Sequence, residues 1–147
     1  VLANLKDQLE PNAREQDDQI VIQTPHPLRT YADYDRFVQI MFNIIQNAIQ
    51  FTQQGKITIR GERLPKGAQF TIQDTGIGMT EEQLKNIWER FYKADRSRMN
   101  TKYGESGIGL SLVRQLVKLH HGKITVQSKV NHGTTFTVYF PDRSDDK

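Results

Sequence analysis

The chain has no cysteine. Disulfide scaffolds and thiolate-held metals are therefore excluded, and the composition suits a reducing compartment. Long apolar runs are missing too: nothing approaches the roughly 18 residues that a membrane span needs, and no secretory leader is recognisable. There is no internal repeat and no low-complexity tract. Neither sign of charge dominates, with 20 Lys and Arg against 17 Asp and Glu for a net +3. A partner recognised by bulk charge alone is thus disfavoured.

What is present is ordinary for one globular domain. The 147 residues are 36% hydrophobic and 25% charged, enough to bury a single good core. The first residue is Val1, inside a helical pattern, so a fragment of a longer protein is expected. The cations are unevenly placed: Lys85, Arg90, Lys93, Arg96, Arg98 and Lys102 crowd one stretch, diluted by Glu89 and Asp95. Taken as charge alone this is a solvated face. Nucleic acid would need interleaved aromatics, and only Phe91, Tyr92 and Tyr103 are near. A small ligand bearing phosphate suits the stretch better.

Periodicity outlines the elements. Leu2, Leu5 and Leu9 repeat at helical spacing before Pro11 and a polar stretch. Ile20–Ile22 reads as a short strand, followed by a loop marked by Pro25 and Pro27. From Asp33 to Phe51 a long amphipathic helix is predicted, its buried face made by Phe37, Ile40, Met41, Ile44, Ile45, Ala48 and Phe51. Lys56–Arg63 and Gln69–Asp74 alternate as strands joined by a Pro65-Lys66-Gly67 turn, hence a hairpin. Thr80 and Gln83 form a capping box for a short helix with Leu84, Ile87, Trp88 and Phe91 on its apolar side. The basic stretch Lys93–Ser106 has no periodicity, and a loop of that length is often a lid. A helix from Gly107 to His120 and two strands, Lys123–Ser128 and Thr134–Phe140, complete the pattern. The expected fold is α+β, a two-layer α/β sandwich: a mixed, mostly antiparallel sheet of about five strands with about three helices on one face.

Three segments carry chemistry. Asn43 and Asn47 lie one helical turn apart, with Gln50 one further turn along, on a polar stripe beside the apolar face. Amide oxygens there can ligate a hard cation or the amides can bond phosphates, although two Asn on a helix also make a plain exposed edge. Asp74-Thr75-Gly76-Ile77-Gly78 ends a strand in a carboxylate followed by two glycines. Such a carboxylate can accept from an exocyclic amine while glycine lets the backbone approach a flat ring; alone, it is equally an Asp-Gly turn. Gly104-Glu105-Ser106-Gly107-Ile108-Gly109-Leu110 opens a helix, where unpaired N–H groups and the positive dipole end suit an oxyanion, or it is a flexible linker. It is not a P-loop, since the only Gly-Lys pair is Gly55-Lys56 followed by Ile57, and its glycine spacing is not the dinucleotide fingerprint.

In order along the chain, the Asn-bearing helix, the strand-end DxGxG, Glu89–Lys93 (ERFYK), the GxxGxGL helix start and Gly133-Thr134-Thr135-Phe136 form one series. That series resembles the ATP-binding catalytic domain of bacterial sensor histidine kinases. The wider ATPase superfamily also holds type II topoisomerases, heat-shock chaperones and mismatch-repair ATPases. The resemblance runs over nearly the whole chain. It implies residues 1–16 as the end of a dimerisation helix or linker with the first helix, 17–141 as the catalytic domain and 142–147 as a tail.

By that resemblance Asn43 and Asn47 hold Mg²⁺ and the phosphates of ATP, and Asp74 accepts from the adenine amino group over a floor shaped by Gly76 and Gly78. Gly107 and Gly109, with Leu110 closing the motif, present N–H groups to the phosphate chain. Phe51 lies against the nucleotide and Phe91 is the latch of the lid. Arg96, Arg98 and Lys102 are the lid cations, with no choice among them. One departure stands out: the family commonly has Lys where this chain has Gln50, so a charge-assisted contact becomes a neutral one and nucleotide binding is expected to weaken. A second feature sets the chemistry. Superfamily members that hydrolyse ATP carry Glu where Asn43 stands, and an amide cannot take a proton from water. A neutral imidazole needs no such base, so transfer to histidine is implied with slow hydrolysis.

The acceptor histidine is not evident. His26 lies between prolines, His120 and His121 end a helix, and His132 sits in a turn; none is in the His-Glu/Asp context of the family's acceptor. The chain therefore reads as a protein histidine kinase catalytic domain acting on a separate dimerisation domain of its parent. A response regulator is the downstream partner, nucleic acid is not one, and the isolated fragment is expected to be monomeric. The expected location is the cytoplasmic side of a membrane-anchored sensor. Two alternatives remain: a degenerate nucleotide-binding or scaffolding module, kept open by Gln50, and an ATP hydrolase of the same superfamily, opposed by Asn43.

Overall fold

A computed structural model describes residues 2–23, 32–88 and 109–142. The elements in chain order are α1 (Leu2–Glu15), β1 (Gln19–Gln23), α2 (Tyr34–Gln50), β2 (Lys56–Leu64), β3 (Gly67–Asp74), α3 (Glu81–Asn86), α4 (Gly109–Leu119), β4 (Lys123–Ser128) and β5 (Thr134–Pro141). The strands form one sheet ordered β1-β2-β3-β5-β4. β1 runs parallel to β2 and the remaining pairs are antiparallel. The fold is the expected α+β sandwich with a mixed five-stranded sheet, with four helices among the described residues where about three were expected.

Alternation explains the sheet. Along β3 the buried side chains of the alternating row are Ala68, Phe70, Ile72 and Asp74, with Gly67 buried before them, and along β5 they are Thr134, Phe136, Val138 and Phe140. Each row is apolar except at the end where β3 finishes and β5 begins, and there Asp74 pairs with Thr134 on one side and with Ile57 on the other. The helices cover this face. α2 buries Phe37, Ile40, Met41, Ile44, Ile45, Ala48 and Ile49. The ring of Phe37 meets Phe70 edge-on at 5.1 Å and lies 5.6 Å from Phe140. Fully burying side chains of this size stabilises the fold by about 1.5–3 kcal/mol each, so this face outweighs any local propensity. Asp33 caps α2, its carboxylate accepting from the Arg36 N–H at 3.0 Å.

Four details differ from the sequence expectation. α1 continues through Pro11 to Glu15, because Pro11 is exposed and Leu5, Leu9 and Ala13 together enter the core. Phe51 is the C-cap of α2 and only half-buried, so the innermost position of the last turn belongs to Ile49. The hairpin turn is Pro65-Lys66 alone, with Gly67 already paired to Leu64. The capping box at Thr80 and Gln83 is present, but α3 stops at Asn86, leaving Ile87 and Trp88 in a turn packed on the core. Trp88 meets Phe136 edge-on at 6.0 Å. No helix among the described residues is long and apolar enough to cross a membrane.

Candidate functional site

At the C-terminal end of β3 the core-facing row ends in a carboxylate. Asp74 is 4% exposed, and its Oδ1 accepts from the Gly76 N–H at 2.8 Å and the Thr134 N–H at 3.2 Å. Burial pushes its carboxyl up to about 6, opposed by those two N–H groups and by the neighbouring Thr52 hydroxyl, and reinforced by the like charge of Asp18. The Thr52 hydroxyl is fully buried beside this carboxylate, and among the described residues it meets no other partner. The result is a buried acceptor whose other oxygen takes no backbone donor among the described residues.

The loop after Asp74 lies hard against the end of α2. A Cβ on Gly76 would fall 2.1 Å from the Phe51 carbonyl oxygen and 2.7 Å from Thr52 Oγ1, so no other residue fits without displacing that segment. The Ile77 N–H donates to the same Phe51 carbonyl at 3.2 Å. Gly78 has φ +72, a left-handed backbone, and the Ile77 carbonyl accepts from Asn131 N–H at 2.7 Å. This seats the Asp74–Gly78 loop on the β4–β5 turn. Ser128 completes the seat: its hydroxyl accepts from Met79 N–H at 2.8 Å, donates to the Gly133 carbonyl at 3.0 Å and bonds Thr134 Oγ1 at 2.8 Å.

From Phe51 the helix α2 runs back eight residues to Asn43, about 12 Å along the axis at the usual rise. There the Asn43 amide nitrogen donates to the Gln39 carbonyl at 2.9 Å, which turns its Oδ1 outward. That oxygen faces the first residue of α4: a Cβ built on Gly109 would stand 3.5 Å from it. A helix N-terminus carries unpaired N–H groups and a partial positive charge, so an amide oxygen and oxyanion-binding donors meet across one gap. Asn47 lies one turn further along, half-buried. An oxygen donor of this kind fits a hard divalent cation, and because both amides are neutral, such an ion would take its charge balance from phosphate. Among the described residues no cluster of His, Asp and Glu offers a competing metal site.

The structure thus brings together two sets. Gly76 and the Phe51–Thr52 segment adjoin the Asp74 carboxylate with Gly78 resting on Lys129 and Val130, and Asn43 of α2 faces Gly109 of α4, whose next residue Leu110 packs against the core. Gln50 is half-buried in the last turn of α2, between the two sets. Phe91, Arg96, Arg98, Lys102 and Gly107 lie outside the described residues, as does His26. His120 is structural: its Nε2 accepts from the Asp33 N–H at 3.1 Å, its Nδ1 contacts the Leu116 carbonyl at 2.8 Å, and its ring packs on Phe140. Sequence reasoning missed Thr52, Ser128, Gln16 and Asp18. Thr52 follows the long helix directly, and the period of two along β3 already puts Asp74 on the core face, so a buried polar neighbour was foreseeable there. Gln16 and Asp18 reach the site only through the fold.

Residues 32–144 match the family described as "Histidine kinase-, DNA gyrase B-, and HSP90-like ATPase". The sensor histidine kinase YclK of Bacillus subtilis (strain 168) is 48% identical over 137 residues, which is 93% of this chain and 29% of that protein. Among solved structures, the catalytic domain of the histidine kinase ThkA, in a nucleotide-free form, superposes with a TM-score of 0.80 at 27% identity, over 95% of this chain and 89% of that one. Full-length ShkA in complex with AMPPNP superposes with a TM-score of 0.79 at 27% identity, over 95% of this chain and 29% of that one. The chain therefore spans less than a third of the length of the curated relative, YclK.

Proposed function

Since the chain belongs to the histidine kinase-, DNA gyrase B- and HSP90-like ATPase family, we propose that it holds ATP with Mg²⁺ for a sensor kinase and passes the γ-phosphate to a histidine on a separate dimerisation domain. One juxtaposition carries the reading. A buried acceptor carboxylate lies at one end of the second half of α2, and an amide oxygen facing a helix N-terminus lies at the other. Such a pair suits a ligand with an amine-bearing flat ring at one end and an anionic chain at the other. The nucleotide analogue held by the similar ShkA has that shape.

Adenine binds with its amino group donating to Asp74, its ring over the floor made by Gly76 and against Phe51. Gly107 and Gly109 give N–H groups to the phosphates, while Asn43 and Asn47 supply oxygens to Mg²⁺. Held by these two amides, the ion would supply charge neutralisation to the phosphates. The neutral imidazole attacks the γ-phosphorus with its own lone pair, the bond to the bridging oxygen breaks, and ADP departs. Water is not activated in its place, because Asn43 has no basic site and its amide nitrogen is engaged by the Gln39 carbonyl. The phosphohistidine then serves a response regulator, and the domain works on the cytoplasmic side of a membrane-anchored parent.

Calorimetric titration of an ATP analogue, with and without Mg²⁺, into this chain and into Asp74→Asn tests the pocket. Micromolar to millimolar binding that the substitution weakens about tenfold or more supports the reading. No binding to the parent chain overturns it in favour of a degenerate module, for which Gln50 in place of lysine is the specific motive. Phosphorylation in trans of a dimerisation domain carrying the acceptor histidine tests the transfer. ATP hydrolysis by the isolated domain at about 1 per second would instead assign it to the hydrolases.

A further inference from the structure

The end of α2 that walls the base pocket is closed locally only by long bonds, from Phe51 N–H to the Asn47 carbonyl and from Thr52 N–H to the Ile49 carbonyl, each at 3.3 Å. Phe51, the C-cap, has φ −106 and ψ 16, and no glycine follows until Gly55. A further donor comes from 33 to 36 residues upstream: the side-chain amide of Gln16 donates to the carbonyls of Ile49 and Thr52, the latter at 2.9 Å, with the Gln50 carbonyl at 3.5 Å. The backbone of the same connection continues the attachment. Gln54 N–H donates to the Gln16 carbonyl at 2.8 Å, Gly55 N–H to Asp18 Oδ1 at 3.0 Å, and Gln19 N–H to the Gly55 carbonyl at 3.0 Å. The α1–β1 connection is therefore stitched along the whole of the α2–β2 loop.

That loop is the surface on which the Asp74–Ile77 loop closes. Its Phe51 carbonyl accepts from Ile77, leaves Gly76 no room for a side chain, and is followed at once by Thr52 beside Asp74. On the other side Lys56 N–H donates to Thr75 Oγ1 at 3.0 Å and Thr75 N–H to the Lys56 carbonyl at 3.2 Å. The Ile77 bond is already 3.2 Å long, so a retreat of the Phe51 carbonyl by about 0.5 Å takes it out of hydrogen-bonding range.

We infer that Gln16, which belongs to none of the nucleotide-binding motifs, is a positioning residue for the base pocket, coupling the connection that leaves α1 to nucleotide affinity. The inference rests on adenine binding at Asp74. Its chemistry is that of a donor: the carbonyls of the last turn of α2 and of Thr52 just beyond it are acceptors at the negative end of a helix, which an amide or a cation can serve.

The test compares Gln16→Met, similar in volume without a donor, with Gln16→Lys, which returns donors and adds a cation at a helix C-terminus. Each folded variant is titrated with the Mg-bound ATP analogue and with Mg-tripolyphosphate, and amide exchange is followed at Gly76 and Ile77. Gln16→Met is expected to weaken the ATP analogue about three- to tenfold, the span of one lost hydrogen bond, with tripolyphosphate binding unchanged. Exchange at Gly76 and Ile77 should quicken, and Gln16→Lys should restore both readouts. A merely structural role would weaken both ligands in proportion to lost stability. ATP-analogue affinity in Gln16→Met within about twofold of the parent, or no recovery in Gln16→Lys, overturns the inference. If Gln16→Met does not fold, Gln16→Asn, which keeps the amide and shortens its reach, takes its place with the same expectation. If the parent chain binds no ATP analogue, the ATP reading has failed, and unchanged exchange at Gly76 and Ile77 then separately overturns the positioning role.

Discussion

Replacing Asp74 by asparagine should stabilise the empty domain and cripple its pocket together. Asparagine is isosteric, and its side-chain oxygen can keep the bonds from the Gly76 and Thr134 N–H groups. What disappears is the buried charge. Raising the carboxyl from 3.8 to about 6 means that the folded state holds its proton longer than the unfolded chain does. The parent is therefore fully stable in this respect below about pH 4, and loses about 3 kcal/mol as the pH climbs past 6. The Asp74→Asn variant carries no such cost, although its neutral bonds are weaker than those to a carboxylate, so a net gain of about 1–3 kcal/mol is expected at pH 8. For a chain of this length that is a rise in Tm of about 3–10 °C. Binding moves the other way. On the proposed binding of adenine at Asp74, losing its charged acceptor costs about 1.5–3 kcal/mol, or about ten- to 150-fold in Kd. The parent's own affinity should fall as the pH drops through about 6, because a protonated carboxyl no longer offers that acceptor. Thermal unfolding at pH 8 and pH 4, with calorimetry of the ATP analogue at pH 8, reads all of this. A variant less stable than the parent at pH 8, or a stability gap that persists unchanged at pH 4, would refute the reasoning.

Gly76→Ala should lower both stability and ATP-analogue affinity, since its Cβ would lie 2.1 Å from the Phe51 carbonyl; about 1–3 kcal/mol of overpacking is expected by urea unfolding, and a parent-like midpoint would contradict it. Thr80→Ala removes half of the capping box of α3 and should cost about 1 kcal/mol in the same assay, with nucleotide affinity unchanged. Gln50→Lys should tighten ATP-analogue binding about threefold or more by restoring a charge-assisted contact, and an unchanged Kd would remove the argument that Gln50 weakens the site.

Most of the fold was legible because its signals are local. The apolar face of α2 repeats through four turns, the capping box at Thr80 and Gln83 is self-contained, and the strands alternate up to their observed ends within one or two residues. Where the expectation differed, a longer-range force won. Pro11 marks the close of a helical pattern on propensity alone, yet three buried side chains on α1 outweigh one missing N–H on an exposed side. Phe51 fits the apolar spacing of α2, but the Asp74–Ile77 loop occupies its carbonyl and holds it at the helix end.

The site divides along the same line. As candidates, Asn43, Asp74, Gly76 and Gly109 stand out in the sequence because each brings a residue type whose chemistry is unusual in its local setting: an amide on a helix, a carboxylate closing an apolar row, glycines where a turn or a helix begins. Gln16 and Asp18 carry no such mark. They sit in a polar run after α1, and their roles arise only when the parallel pairing of β1 with β2 brings that run beside the end of α2. Parallel neighbours are necessarily distant in sequence, here with the whole of α2 between them. A residue that holds a pocket across such a crossover will look like loop until the register is known.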